Sequence, residues 1–475
     1  MRLENIIRNA GVIEVRGNLG LGITDICNDS RKVTSGAMFI AVKGHDSDGH
    51  DYIGKAIASG AAAIVYEDEE ALDKAVSEYP GEATRGLTFV KVKDSRHAVA
   101  MMAADFFDNP SRKLTLVGIT GTNGKTTTVT LLYHLFMAQG YNCGLLSTIA
   151  NYVGTRRLET SNTTADPITI NRLMSEMVDT GCEFCFMEVS SIGVEQERVA
   201  GLEFKVGIFS NLTHDHLDYH KTFAEYLRCK KLFFDNLPAT ATAITNIDDK
   251  NGEVMVQNTK AKIDGRETWT RLIGQHNAYN ILAIYSAAIA VGADPEETLV
   301  AISKLESAPG RLEVISGPRN LSVVIDYAHT PDALENVLKT LRDIDNGKEL
   351  ICLFGCGGDR DKTKRPEMAA IAEKYADRIV VTSDNSRTER TEDIMNDIRK
   401  GFSVNGLAKA IFISDRKEAI RASIMFAKDG GVILLAGKGH ETYQIIGTEH
   451  RHFDEREVVS EIFNSLTATK KEDKR

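Results

Sequence analysis

The sequence predicts an α/β protein built from three domains. At 475 residues the chain is too long for a single hydrophobic core, and about 150 residues per domain suggests three. A hydrophobic content of 42% with 26% charged residues is typical of globular proteins. Apolar, β-rich runs alternate with amphipathic helical runs, which favours parallel sheets flanked by helices.

Three sequence blocks define the predicted domains, with boundaries at 1–109, 110–309 and 310–475. The first mixes short apolar runs (AMFIAVKG, AAAIVYED, LTFVKV) with helical stretches such as YIGKAIASG. The second alternates predicted strands (KLTLVGIT, CEFCFMEVS, FKVGIFSNL, TAITNID) with predicted helices (TTTVTLLYHLFMAQG, FAEYLRCKKLFFDNL, NAYNILAIYSAAIAVG). The central block is therefore predicted to form a parallel sheet.

The third block repeats this alternation. Its predicted strands are LSVVIDYA, ELICLFG, RIVVTSD, AKAIFISD and GVILLAG, with helices including PDALENVLKTL and RPEMAAIAEKYA between them. The polar clusters GCGGDRDK, SDNSRTE and GKGHE each follow a strand. Because open α/β sheets bind ligands at the carboxyl ends of their strands, these clusters indicate a binding site.

Charge and hydropathy exclude several classes of function. A net charge of −10 disfavours a nucleic-acid partner, which would need a basic face. No apolar run approaches the ~18 residues of a membrane span, and the start MRLENIIRNA has no signal-peptide core. We therefore expect a cytoplasmic protein without a membrane partner, and a monomer.

The seven cysteines are scattered, which disfavours a disulfide framework. Cys182 and Cys185 form a C-x-x-C pair, but they lie in an apolar run with no second pair at zinc-finger spacing. We expect both to be core residues rather than redox or metal-binding groups.

The stretch LTLVGITGTNGKTTT, residues 114–128, predicts a phosphate-binding loop. Gly118 and Gly124 enclose five residues where the common loop has four. A strand ending at Thr120 and a helix starting near Lys125 would place backbone N–H groups around phosphate oxygens. Lys125 would supply a cation and the hydroxyl of Thr126 a magnesium ligand.

A second motif, FMEVSSIGVEQERV at residues 186–199, delivers Glu188 to the end of an apolar strand. A magnesium–nucleotide site needs such an acidic residue beside its phosphate loop. By itself the motif is equally consistent with an ordinary strand and loop.

A third cluster carries the metal-binding residue types His214, Asp215, His216, Asp218 and His220. Zinc is disfavoured because no cysteine lies at ligand spacing and no H-E-x-x-H occurs. We expect one or two of these residues to serve a magnesium site.

The ordered motifs GTNGKTTT, NTT at 162–164, EVSS, NLTHDHLDYH, GQHNAYN, APGRLE, DYAHTPDAL and GGDRDKTKRP resemble the Mur ligase family of cell-wall synthesis. The most similar type adds the third peptide residue to UDP-N-acetylmuramoyl-L-alanyl-D-glutamate. The resemblance covers nearly the whole chain, including the N-terminal DSRKVTSGAMFIAVKGHDSDGHDYI. It implies an N-terminal UDP-sugar-binding domain, a central P-loop ATPase domain and a C-terminal Rossmann-like domain that binds an amino acid.

The resemblance also implies an ATP- and Mg²⁺-dependent reaction in which the donor carboxylate becomes an acyl phosphate that an amine attacks. The implied ATP contacts are Gly121, Thr122, Asn123, Gly124, Lys125, Thr126, Thr127, Asn277, Asn280, Arg311 and Asp326. Asn277 and Asp326 are equally consistent with structural caps. The implied catalytic and metal-binding residues are Lys125, Thr126, Glu188, His216 and Lys230. The family's metal-binding lysine is carbamylated and aligns with Lys230, although the neighbouring Lys231 could also match that position.

The implied contacts to the muramoyl-dipeptide donor are Ser30, Asn162, Thr163, Thr164, Ser190, Gln196 and Arg198. The implied contacts to the amino acid are Arg360, Asp384, Asn385, Arg387, Gly437 and Glu441. An arginine suits the second carboxylate of meso-diaminopimelate, which L-lysine lacks, so we favour the former and keep the latter as an alternative.

Four residues depart from the family pattern: Ser386 replaces a proline, Ile192 a histidine, Ala165 a proline and His276 an aromatic residue. They leave room for a related ligase acting on another acid, such as a folate-polyglutamate or cyanophycin-type enzyme. Two other classes remain as alternatives, a P-loop hydrolase or switch without ligation, and a non-catalytic nucleotide-sugar-binding protein.

Overall fold

A computed structural model of the chain describes residues 1–44, 47–79, 84–160, 162–213, 217–264, 275–302, 305, 309–344 and 347–472, with the backbone alone at 217–218, 264, 275–278, 344 and 467–472. Three large sheets form from successive parts of the chain, and helices accompany each of them. This architecture confirms the predicted α/β class. In the ranges just given, every helix is too short or too polar to cross a membrane.

The first sheet has five strands in the order β1-β5-β4-β3-β2. Its elements are α1 Leu3–Ile6, β1 Val12–Arg16, β2 Ile26–Cys27, β3 Met38–Ile40, α2 Ile53–Ala58, β4 Ala63–Tyr66, α3 Glu69–Glu78, β5 Thr88–Val92 and α4 Ser95–Phe106, with 3₁₀ turns at Ser30–Lys32 and Gly49–Tyr52. Strands β2 to β5 are parallel, and β1 is antiparallel to β5. The Asp94 carboxylate starts α4 by accepting the N–H groups of Arg96 and His97.

The second sheet has eight strands in the order β13-β12-β11-β6-β10-β7-β8-β9. Its strands are β6 Thr115–Thr120, β7 Cys143–Leu146, β8 Asn151–Val153, β9 Arg156–Leu158, β10 Phe184–Glu188, β11 Val206–Phe209, β12 Thr242–Thr245 and β13 Lys262–Asp264. Its helices are α5 Lys125–Ala138, α6 Pro167–Asp179, α7 Ser191–Glu195, α8 Leu217–His220, α9 Phe223–Asp235, α10 Gly252–Val256, α11 Gln275–Ala290 and α12 Pro295–Ile302, after a 3₁₀ turn at Pro110–Arg112.

The centre of this sheet is parallel, as predicted, and is covered on both faces by separate apolar clusters. Burial on both faces explains why β10 and β11 are continuous apolar runs rather than alternating ones. Cys182 and Cys185 lie buried in one of these clusters, which confirms their predicted core role. The antiparallel strands β8 and β9 at one edge were not predicted.

The third sheet has six strands in the order β14-β15-β19-β16-β17-β18, and β20 and β21 form a separate hairpin. The strands are β14 Glu313–Ser316, β15 Ser322–Asp326, β16 Leu350–Phe354, β17 Arg378–Val381, β18 Ala410–Phe412, β19 Val432–Ala436, β20 Tyr443–Ile446 and β21 Glu449–His452. The helices are α13 Pro331–Ile344, α14 Lys364–Tyr375, α15 Thr391–Arg399, α16 Val404–Lys409, α17 Arg416–Phe426 and α18 Glu455–Glu472, with a 3₁₀ turn at Pro318–Asn320.

All five strands predicted for this block occur, and they form a parallel group to which β14 adds antiparallel to β15. Strand β19 lies between β15 and β16, so the carboxyl ends of strands that are distant in sequence converge. The three polar clusters are thereby brought to one edge of the sheet. The domain boundaries at residues 109 and 309 stay predictions.

Candidate active site

The phosphate loop lies between β6 and α5, where the sequence predicted it. Gly124, the residue before the helix, has φ of 89° in the left-handed region that favours glycine. A Cβ atom at Gly124 would overlap the Oδ1 atom of Asn280. The loop therefore requires glycine here, and Asn280 lies directly against it.

The start of α5 is suited to an anion. Its first helical bond runs from the N–H of Thr128 to the carbonyl of Gly124, so the N–H groups of Lys125, Thr126 and Thr127 precede the helical ladder. The Lys125 Nζ atom donates to the carbonyl groups of Gly121 and Thr122, at 2.8 and 2.9 Å. Lys125 thus lies over the loop that it was predicted to serve.

Residues from β11 and α9 hold this loop in place. The N–H groups of Thr122 and Asn123 both donate to Asn211, the first to its carbonyl and the second to its side-chain oxygen. The Thr122 and Tyr226 hydroxyl groups lie 3.1 Å apart. The loop conformation is therefore determined by the protein itself, which is preorganisation for a phosphate ligand.

Glu188, at the end of β10, is fully buried and accepts four hydrogen bonds. Its Oε2 atom accepts the hydroxyls of Thr126 and Thr148, at 3.0 and 3.1 Å. Its Oε1 atom accepts the hydroxyl of Ser147 and the N–H of Thr148, at 2.9 and 2.8 Å. The carboxylate thus faces the first turn of α5, an arrangement of hard oxygen donors that fits Mg²⁺.

Lys230 lies beneath the same loop. Its side chain is 1% exposed, its Nζ atom donates to the carbonyl of Gly121 at 2.7 Å, and it lies 4.7 Å from the ring centre of Tyr226. Lys231 instead forms an ion pair with Asp235 on the same helix. Lys230 is therefore the lysine of this pair that faces the site.

His216, the remaining predicted metal ligand, lies outside the described residues, as do His214 and Asp215 and the side chain of Asp218. Among the described residues, no three His, Cys, Asp or Glu side chains form a metal-binding group. His220 instead places its Nε2 atom 2.9 Å from the Ser191 hydroxyl.

Four of the predicted donor-binding residues adjoin the end of β10. The Thr164 hydroxyl donates to the carbonyl of Glu188 and accepts the N–H of Ser190. The guanidinium of Arg198 donates to the carbonyl of Thr164 and to the side-chain oxygen of Gln196. Burial lowers the pKa of Arg198 from its ordinary value. The structure thus brings these four residues together at the strand end that carries Glu188.

The other three predicted donor contacts are arranged differently. The Thr163 and Thr148 hydroxyl groups lie 3.1 Å apart, which joins Thr163 to the Glu188 network. Asn162 is exposed at the same loop. Ser30 begins a 3₁₀ turn of the first sheet region and is nearly buried, away from the hydrogen bonds that connect the others.

Two further predicted ATP contacts, Arg311 and Asp326, come from the start of the third block. The Arg311 Nη2 atom lies 3.4 Å from the Thr126 hydroxyl, and its Cζ atom lies 5.0 Å from the ring centre of Tyr327. Its buried Nε atom has no hydrogen-bond partner among the described residues, which suits an anionic ligand.

Asp326 has the structural role that the sequence left open, since its two oxygens accept the N–H groups of Leu312 and Ala328 at 2.8 Å. Asn277 lies in α11, but its side chain and that of His276 are outside the described atoms.

The predicted acceptor residues meet at the edge of the third sheet. The Asn385 Nδ2 atom donates to Glu441 Oε2 at 2.9 Å, and a Cβ atom at Gly437 would lie 3.1 Å from the Asp384 carboxylate. The Nη1 atom of Arg387 donates to the carbonyls of Gly358 and Asn385. Its Nε and Nη2 atoms are not used by these contacts.

Arg360 is exposed on the neighbouring loop after β16. Ser386, which departs from the family pattern, is buried, and its carbonyl accepts the N–H of Glu389.

Five residues that the structure places in these networks were not predicted from the sequence: Ser147, Thr148, Asn211, Asp332 and Lys438. Asp332, at the start of α13, accepts the side-chain amide of Asn123 at 2.9 Å, and burial raises its pKa. Ser147 and Thr148 directly follow strand β7 at its carboxyl end. That position was the one sequence signal that could have revealed them.

A glycine-rich loop between a parallel strand and a helix, facing a buried carboxylate from the adjacent strand, defines a P-loop nucleotide-binding protein. Residues 22–107 match the Mur ligase family catalytic domain, 119–266 the Mur ligase middle domain, and 310–439 the Mur ligase glutamate ligase domain. The UDP-N-acetylmuramoyl-L-alanyl-D-glutamate–2,6-diaminopimelate ligase of Cytophaga hutchinsonii is 46% identical, covering 98% of this chain and 100% of its own. The chain therefore belongs to the Mur ligase family.

Two solved structures share the fold. One, entitled a UDP-N-acetylmuramoyl-L-alanyl-D-glutamate–2,6-diaminopimelate ligase, has a TM-score of 0.67 at 28% identity and covers 98% of this chain and 99% of its own. The other is the MurF ligase of Thermotoga maritima in complex with ADP, with a TM-score of 0.61 at 20% identity, covering 94% of this chain and 98% of its own. The resemblance stated from the sequence is confirmed.

Proposed function

We propose that the protein is an ATP-dependent amide ligase that adds 2,6-diaminopimelate to UDP-N-acetylmuramoyl-L-alanyl-D-glutamate during peptidoglycan precursor synthesis. The main support is the full-length match to a relative of that name. The fully buried Glu188, whose carboxylate faces Thr126 at the phosphate loop, is the structural observation that carries the proposal.

The first step transfers the terminal phosphoryl group of ATP to the donor carboxylate, because a carboxylate is a poor electrophile. Both reactants are anionic, so the site must supply positive charge where they meet. Lys125 and the helix start would bind the phosphates, and Arg311 would approach them from the third block. One magnesium bound through Thr126, and a second held by Glu188, His216 and a carbamylated Lys230, would neutralise further charge.

In the second step the amine of the acceptor attacks the acyl phosphate and forms the amide, and phosphate leaves. Glu441 and Asp384 would bind the ammonium group at the other end of the acceptor. Arg387 would bind its second carboxylate through the two nitrogen atoms that the loop carbonyls do not use. L-lysine has no such carboxylate, so diaminopimelate is the better match.

The deciding experiment supplies the purified protein with ATP, Mg²⁺, the UDP-muramoyl-dipeptide and one amino acid at a time. We expect amide formation and phosphate release only with both donor and acceptor, and a preference for diaminopimelate. Phosphate release that needs neither would indicate a P-loop hydrolase instead. Activity with folate or another acid in place of the muramoyl-dipeptide would indicate a related ligase.

The acceptor preference has a separate test in Arg387→Lys. A lysine keeps the charge but loses the forked donor geometry, so we expect the KM for diaminopimelate to rise by about tenfold. The KM values for ATP and donor should not change. An enzyme that prefers L-lysine, or a variant with an unaltered KM for diaminopimelate, would contradict the role of Arg387. We also propose a cytoplasmic monomer, to be checked by fractionation and light scattering.

A further inference from the structure

Lys438, in the GKGHE segment, is a fully buried lysine that the proposed chemistry does not use. It lies two residues after the end of β19, at the sheet edge where the acceptor residues meet. A buried ammonium is unfavourable unless its charge and its three N–H donors are compensated. The groups that compensate the ammonium of Lys438 therefore indicate its function in this site.

Three acceptor-site side chains are those partners. The Nζ atom donates to Glu441 Oε2 at 3.0 Å and to Asn385 Oδ1 at 3.2 Å, and it lies 3.6 Å from Asp384 Oδ1. The ring centre of Tyr443 lies 5.8 Å away. The lysine thus contacts both side chains, Glu441 and Asp384, that are proposed to bind the ammonium group of the acceptor.

The first consequence concerns the orientation of Asn385. Its Oδ1 atom faces two donors, Lys438 Nζ and the N–H of Ile445 at 2.9 Å, so the amide cannot turn over without losing both. Its Nδ2 atom is then directed at Glu441 Oε2. Lys438 and the Ile445 N–H therefore hold the amide of Asn385 together, and Lys438 also contacts Glu441 directly.

The second consequence concerns charge. Asp384 and Glu441 are two carboxylates beside one buried position, and like charges in such a place favour protonation of one of them. Burial pushes the pKa of Asp384 upward, but Lys438 and then Arg416 outweigh it and hold that pKa below its ordinary value. Lys438 therefore lowers the pKa of the Asp384 carboxyl, and its Nζ atom also lies 3.0 Å from the second carboxylate, that of Glu441.

We propose that Lys438 is a positioning residue for the amino-acid acceptor, which helps to orient Asn385 and Glu441 and holds a positive charge beside Asp384 and Glu441. The inference rests on the proposed function, because it takes these residues as the acceptor pocket. It predicts an effect on the acceptor alone, since none of the contacts of Lys438 reaches the phosphate loop or the donor loop.

The test compares Lys438→Met, Lys438→Arg and the surface control Lys417→Met, whose lysine pairs with Glu461 on the outer face of the same domain. Losing a charged hydrogen-bonding group should raise the KM for diaminopimelate by at least about tenfold in K438M. The KM values for ATP and donor should stay within about twofold, because the phosphate loop keeps its contacts. K438R should restore part of the affinity, and K417M should match the wild type.

Binding is measured separately from turnover as the rise in Tm that diaminopimelate produces. At one fixed concentration of diaminopimelate we expect the full rise in the wild type and K417M, a smaller one in K438R, and the smallest in K438M. If circular dichroism shows that K438M does not fold, K438R becomes the deciding variant. A guanidinium cannot present three donors from one nitrogen atom, so K438R should still raise the KM for diaminopimelate.

An unaltered acceptor KM in any folded Lys438 variant would overturn the inference, and so would equal increases in all three KM values. Failure of the proposed function looks different, because the wild type itself would then form no amide with diaminopimelate.

Discussion

Glu188 combines a structural and a chemical function that one substitution can separate. Glutamine has the shape of glutamate without its charge. A hydroxyl can donate or accept, whereas a peptide N–H can only donate. In E188Q the side-chain oxygen would therefore face the Thr148 N–H and the Ser147 hydroxyl, and the amide nitrogen would face the hydroxyls of Thr126 and Thr148.

The effects of Glu188 substitutions on stability and on ligation should therefore differ. E188Q keeps all four contacts and loses only their charge-assisted part, so the free energy of unfolding should fall by about 1–2 kcal/mol. E188A leaves a cavity and an unsatisfied Thr148 N–H, and should lose about 2–5 kcal/mol. Both variants remove the anionic oxygen at the phosphate loop, so ligation should slow by at least about a hundredfold in each.

Unfolding is followed by circular dichroism in urea, and ligation by product formation over a range of Mg²⁺ concentrations. Glu183→Gln is the matched control, because Glu183 is exposed next to the opposite end of β10, and it should behave as the wild type. An E188Q enzyme with more than about a tenth of wild-type activity at saturating Mg²⁺ would refute the chemical role. Equal destabilisation by E188Q and E188A would refute the hydrogen-bond argument.

Three further predictions concern the loop, the buried lysine and pH. Gly124→Ala should weaken ATP binding by at least about tenfold in calorimetry, because the alanine would have to adopt a left-handed φ and its Cβ atom would overlap Asn280. An unchanged affinity for ATP would contradict the assignment of this loop to phosphate binding. Lys230→Ala should be inactive and partly rescued by short carboxylates if the lysine is carbamylated, whereas full activity without them would exclude a metal-binding role. Burial first, and then nearby cations led by Arg311, lower the pKa of His440 to about 3, so its imidazole stays neutral in the native state, whereas in the unfolded chain it binds a proton near pH 6.5. The stability that this lowered pKa contributes is complete above pH 6.5 and is lost towards pH 3. Between pH 7 and 5 the free energy of unfolding in urea should therefore fall by about 2 kcal/mol more in the wild type than in His440→Asn. Equal losses in the two proteins would contradict the lowered pKa of His440.

Most interior strands could be predicted from the sequence and most edge strands could not, although the interior strand β7 was missed and the edge strand β18 was predicted. Strands such as β10 and β19 are continuous apolar runs, because burial on both faces selects apolar residues locally. The edge strands β8, β9 and β14 are short or polar, and their antiparallel pairing depends on a partner strand rather than on their own composition.

Some features of the candidate site could likewise be predicted from local sequence, and others could not. The glycines of the phosphate loop and the position of Glu188 at a strand end follow from local sequence, because turn geometry and strand ends leave local signals. The burial of Lys230 does not follow from local sequence, since its helix alone would suit a lysine exposed to solvent. Ser147 and Thr148 entered the site only through the pairing of β7 with β10.

What the sequence determined by itself was the α/β class, most interior strands, the phosphate loop and, through ordered motifs, the family. What the tertiary structure decided was which distant side chains meet: Thr126 with Glu188, Lys230 with Gly121, and Lys438 with the acceptor loop. The reason is physical. Backbone conformation responds to neighbouring residues along the chain, whereas the charge balance of a buried site depends on groups that only folding brings within a few ångströms.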